Sequence, residues 1–284
     1  MSGRSCIFCE GVGLTREHVL GDWVRRLANV SETVAARHTF HPGEGSSRAV
    51  DFSEPPLRWV ARVVCGDCNN GWVSDIDNAA AMILTPLLRG EPGRLSPDDQ
   101  GALATWAFKT GCVIDAAALG RGGPSFPRSD RVWLREHGCP PELSAAWITS
   151  WPGTTTAWTH FWGLEALKAG ASASGSVNVY GATIALGPMV LRVYAATEEA
   201  LAPEYMIERR QGVFPIRPAS ATFDWEPRFW LSAEELEDFA YGIPQALERG
   251  ITPGSEPFFV SVQLSVVITR IACGSAESWG YGSL

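Results

Sequence analysis

Two Cys-x-x-Cys pairs, Cys6-Ile7-Phe8-Cys9 and Cys65-Gly66-Asp67-Cys68, flank a Glu17-His18 dipeptide, and the second pair runs into Asn69-Asn70-Gly71-Trp72. Thiolates at this spacing reach one ion, and a tetrahedral ion needs two such pairs. Residues 10–64 separate the pairs, but closure entropy grows only slowly with loop length. These four of the seven cysteines are therefore expected to share one structural zinc; the competing readings are small buried residues or a redox pair. Cys112, Cys139 and Cys273 have no partner at ligand spacing and read as core or inert.

His18 is the candidate reactive group. An imidazole near neutral pKa suits a general base that activates water. A hard cation held by oxygen donors can neutralise a phosphate and stabilise the leaving oxygen. Glu17 and Asn69 are such donors, and the cysteine knot would bring them together. The alternative is that Glu17, His18 and Asn69 only cap the helices that follow. Asp75 is a further possible metal contact, although it and Asp77 read first as a solvated helix face. His38 and His41 fall on opposite faces of a regular strand, and His137 and His160 read as structural. Trp72 is expected to pack its helix onto the knot. The tryptophans at 147, 151, 158 and 162 fit core packing better than a base-stacking platform.

The elements that must position these groups follow from apolar spacing and punctuation. A short helix is expected over 21–27, a strand from Thr33 to Phe40, a loop over 42–56 and a strand from Arg58 to Val64. Helical periodicity runs from Asn69 to about Leu88 through Trp72, Ile76, Ala80, Ile83 and Leu87. Ser96-Pro97-Asp98-Asp99 opens a second helix that reaches about Leu119. Gly120 to Pro127 reads as a linker. Beyond it the chain is β-rich, with hairpins expected around Pro152-Gly153 and Gly187-Pro188, and a strand over 209–216. A capping box at Ser232-Ala233-Glu234-Glu235 starts a helix to about Leu247, and Pro257 to Ala272 reads as a final strand. The expected organisation is residues 1–120 as a zinc module with helices, 128–273 as a β-rich domain and 274–284 as a flexible tail. The fold class is α+β.

Composition narrows the function classes. The chain has 284 residues, 45% of them hydrophobic, and a formal net charge of −8. Only two lysines, Lys109 and Lys168, accompany 21 arginines, and residues 1–75 balance at −1. A non-specific nucleic-acid coat normally shows a basic excess; a bound divalent cation would supply positive charge where a phosphate must sit. No apolar run is long enough to span a bilayer. The amino terminus has no secretory core, so a cytoplasmic location, where thiols stay reduced, is expected.

Cys-x-x-Cys, an acid-His dipeptide and Cys-x-x-Cys-Asn-x-Gly-Trp together resemble the HNH endonuclease superfamily over residues 6 to about 80. The resemblance implies a ββα-metal core built on a treble-clef zinc knot. In it His18 matches the general base, Glu17 the acidic metal ligand, Asn69 a second ligand to Mg²⁺ or Mn²⁺, and Cys6, Cys9, Cys65 and Cys68 the zinc ligands. Val60 stands where the middle asparagine would fall, and Gly21 where a proline often follows the histidine. The function expected is a divalent-metal-dependent endonuclease acting on nucleic acid, DNA in the first instance. The rival is a non-catalytic zinc module that binds nucleic acid or protein.

Overall fold

The computed structural model describes residues 5–28, 34–41, 48–54, 60–117, 125–151, 155–168, 178–198, 211–226, 231–240 apart from 233 and 237, 258–261 and 266–272. In its first half the elements are β1 (Leu14–His18), α1 (Asp22–Ala28), β2 (Val34–His41), β3 (Arg48–Glu54), β4 (Val60–Cys65), α2 (Gly66–Cys68), α3 (Ser74–Leu88), β5 (Gly93–Leu95) and α4 (Pro97–Ala117). There follow α5 (Arg128–His137), β6 (Ser144–Ser150), β7 (Thr155–Lys168), β8 (Val179–Leu186), β9 (Met189–Ala196), β10 (Phe214–Arg217), β11 (Phe223–Trp225), β12 (Phe258–Ser261) and β13 (Val266–Ala272). Helix and strand are mixed over several sheets. No helix among the described residues is long and apolar enough to cross a membrane.

A nine-stranded antiparallel sheet runs in the order β10-β6-β9-β8-β7-β13-β2-β3, with β12 also paired to β7. Its β2 and β3 come from between the two cysteine pairs. The segment expected as a loop over 42–56 therefore contains a strand, β3, whose Arg48 to Glu54 pair with β2. The hairpin at Gly187-Pro188 forms, Leu186 facing Met189. The one expected at Pro152-Gly153 does not: β6 pairs with β9 and β10, and β7 with β8 and β13. A proline-glycine pair marks a reversal of the chain, but it does not say which strand becomes the neighbour. The final apolar stretch divides into β12 and β13. Of the expected linker, residues 120–124 lie outside the described residues, as does the 274–284 tail.

Helix α4 is the spine. Ser96 and Asp99 exchange hydrogen bonds in a reciprocal cap, Asp99 N–H to Ser96 Oγ at 3.2 Å and Ser96 N–H to Asp99 Oδ2 at 3.0 Å. Every residue from Leu103 to Ala116 is buried, as expected of a helix enclosed on all sides. One side meets α3 and the β1–β4 hairpin, and the other meets the sheet. The helix comes close to the sheet at Gly111, where a Cβ would stand 3.2 Å from Ala182 Cβ of β8 and 2.8 Å from Phe126 Cζ. One core thus runs from Cys6 and Phe8 through Trp106 and Phe108 to Ala182 and Leu191.

This packing sets opposite signs for two glycines of the same helix. Gly111→Val is expected to cost about 1–3 kcal/mol by overpacking. Gly101→Ala, whose Cβ meets nothing within 4 Å, should stabilise by about 0.4–1 kcal/mol. Urea unfolding of the two variants checks both signs.

Candidate metal centre and histidine site

The four cysteines of the paired motifs converge. The sulfurs of Cys6, Cys9, Cys65 and Cys68 all lie within 4.8 Å of one another, with Cys9 and Cys65 3.4 Å apart. The first pair sits on a tight turn closed by Glu10 N–H to Cys6 O at 3.0 Å and Cys6 N–H to Gly11 O at 2.9 Å. Gly11 N–H then reaches Cys9 Sγ at 3.3 Å. A side chain at Gly11 would start only 3.1 Å from that sulfur, a tight contact that the turn avoids by having no Cβ there. The second pair straddles the end of β4 and the first turn of α2. Phe8 and Trp72 meet edge to face at 4.9 Å, packing the helix onto the turn as the spacing predicts.

Proton chemistry favours a cation here. Burial raises the Cys65 thiol, but the Cys68 N–H and hydrogen bonds from Cys9, Cys68 and Cys6 outweigh it and bring it to about 7. Burial pushes Cys68 up to about 12 despite the nearby Trp72 indole, the neighbouring Cys9, Cys65 and Cys6 adding to the rise. Cys9 is raised too, first by burial. One thiolate is easy to form, and a second beside it lacks compensating charge. A metal such as zinc removes that conflict, since thiolates are its ligands. The tetrad can hold one.

The hairpin beside the tetrad carries the other candidates, and its pleat separates them. Glu17 faces Ala61 and His18 faces Val60 across β1 and β4, with a bulge between Thr15 and Glu17 where β4 holds an extra residue. The bulge points the Val63 carbonyl at Ile7, whose N–H donates to it at 3.0 Å. Adjacent strand residues point to opposite faces. Ala61, Val63 and Glu17 turn inward, while Arg16 and Arg62 are exposed and His18 is partly so.

On the outer face His18 Nε2 lies 3.7 Å from Asp22 Oδ1, and Asp22 Oδ2 accepts from Arg26 Nη1 at 2.7 Å. On the inner face Glu17 is 4% exposed. Its Oε1 is 3.8 Å from Nζ of Lys109, which is wholly buried and bonds Asp77 Oδ1 at 2.7 Å. Trp106 Nε1 donates to the same Asp77 oxygen at 2.8 Å. Asn69 Nδ2 donates to Thr15 Oγ1 at 3.0 Å and to the Arg16 carbonyl at 3.2 Å, tying the helix start to β1. Asp75 is exposed.

The structure thus brings Glu17, Asp77 and Lys109 together on one side of the hairpin and His18 with Asp22 on the other. Three of these were not singled out as site residues from sequence. Asp77 read as a solvated position, yet it answers the Lys109 charge. Lys109 was noticeable only as one of two lysines, placed in an otherwise apolar helix. Asp22 stands four residues after His18, and only the helix that begins there brings the two together. His160 is buried within the sheet; the side chains of His38 and His41 lie outside the described residues.

No protein-family model matches the chain, and neither a curated protein nor a solved structure matches it. The case for any function therefore rests on the geometry just described.

Burial, opposed by Lys109 and reinforced by the Asp77 charge, pushes Glu17 up to about 7 from 4.5. A raised carboxyl pKa means that the folded state holds its proton more tightly than the unfolded chain. Stability from this group is complete below about pH 4.5 and is lost as pH rises to about 7, on the order of 3 kcal/mol in all. Chemical denaturation across that window should show the fall, and Glu17→Gln should flatten it.

Proposed function

We propose that the chain is an HNH-type, divalent-metal-dependent endonuclease built on a treble-clef zinc knot, with His18 as general base and DNA as substrate. The observation that carries this reading is a partly exposed imidazole at the end of β1, in a strand clamped through β4 to the cysteine tetrad. A base must be held at a fixed place yet open to water, and this position meets both needs. Asp22 Oδ1 lies on the Nε2 side of the ring, 3.7 Å away, where its charge would steady the imidazolium that a general base becomes.

In this reading Glu17 and Asn69 are the oxygen donors for Mg²⁺ or Mn²⁺, which would neutralise the phosphate. The two fit unequally. Asn69 keeps its Oδ1 free of hydrogen bonds among the described residues, its amide nitrogen being fixed by Thr15 and Arg16. Glu17 faces Lys109 and would have to turn from it to meet an ion on the His18 side. That inward carboxylate favours a second reading, a zinc module that binds nucleic acid without cutting it.

Supercoiled plasmid incubated with Mg²⁺ or Mn²⁺ separates the two. Loss of His18 in His18→Ala is expected to slow nicking by about 10²–10⁴-fold, the usual worth of a general base. Equal nicking by both proteins would remove His18 from the chemistry. Absence of nicking by folded, zinc-loaded wild-type protein would leave the binding module.

A further inference from the structure

The bulge in β4 has a second consequence, on the outer face. It sets Arg62 and Val63 against Arg16. Val63 turns into the core, while Arg16 and Arg62, both exposed, lie on the other face of the hairpin at the bulge. Neither guanidinium makes a hydrogen bond or ion pair among the described residues. The nearby carboxylate of Asp22 is already engaged by Arg26 and His18. Two exposed guanidinium groups on one face, with no internal partner among the described residues, on a chain of net charge −8, mark a place where an external anion can supply what the fold does not.

We infer that Arg16 and Arg62 form a phosphate clamp that seats the backbone of duplex DNA on the outer face of the β1–β4 hairpin, beside His18. This rests on the proposed function for its choice of anion and extends that reading to the residues that hold the substrate. Guanidinium groups suit the site because their planar donors match phosphate oxygens two at a time. A two-stranded ribbon also has the dimensions to lie along a duplex groove. The clamp reads charge and not sequence, so it sets position and affinity.

The test is fluorescence anisotropy with a labelled 20-base-pair duplex, without divalent metal so that no strand is cut, over a series of salt concentrations. Arg16→Gln/Arg62→Gln is expected to weaken binding about tenfold or more and to lower the slope of log K against log salt by about 2. Arg16→Lys/Arg62→Lys should keep most of that slope, which shows that the loss is of charge and not of fold. Arg94→Gln, an exposed arginine on β5, should bind as wild type does. Unchanged affinity and slope in the glutamine variant would overturn the clamp, as would a wild-type protein that does not bind the duplex at low salt. The two proposals fail separately: wild-type binding through these arginines without plasmid nicking keeps the clamp and removes the nuclease. Nicking with unchanged binding in the glutamine variant does the reverse.

Discussion

Four sulfurs within 4.8 Å of one another cannot all be thiolates without a cation among them, and the rest of the amino-terminal architecture follows from that constraint. Cys9 and Cys65 are 56 positions apart. Closing a loop of that length costs about 4 kcal/mol, well below the roughly 10–16 kcal/mol that a structural zinc returns in small domains. A metal held by the tetrad would leave margin enough for the chain to depart after α1, add β2 and β3 to the large sheet, and return along β4 to the same point. The bulge in β4, the Ile7 bond to Val63 and the Asn69 bonds to β1 are the means by which this return is held in register.

Once the hairpin is fixed, its alternation divides the chemistry. The inner face carries a carboxylate to a fully buried lysine; the outer face carries an imidazole and two arginines. A buried ion pair contributes little net stability compared with apolar packing, yet losing one partner is costly. Lys109, Asp77 and Glu17 therefore act together as a specifier of orientation. They join β1, α3 and α4, and the pleat of β1 turns His18, the next residue, to the other face. Trp106 and the enclosed helix α4 extend the same core to the large sheet, so the site and the sheet share one scaffold.

The sequence made the cysteine pairs legible because ligand spacing is local, and the α4 start because a reciprocal Ser96–Asp99 cap is local too. The Gly187-Pro188 hairpin was readable for the same reason. What was not readable depends on partners far along the chain. Asp77 lies on a helix face that periodicity leaves to solvent, and only the approach of Lys109, 32 positions later, makes it the counter-ion of a buried charge. The neighbours of β6 were hidden because strand pairing is decided across the whole sheet. Glu17 and His18 look like one functional unit in sequence; the pleat of β1 sends them to opposite faces.

The tetrad can hold one metal ion, and the roles given to the hairpin depend on its doing so. The most direct measurement is the metal content of protein purified without added metal, by elemental analysis, for wild type and for Cys65→Ser/Cys68→Ser. One zinc per wild-type chain, and none in the variant with loss of its cooperative unfolding, is the result this account requires. Wild-type protein that folds with no bound metal, or a variant that keeps its zinc, would contradict it.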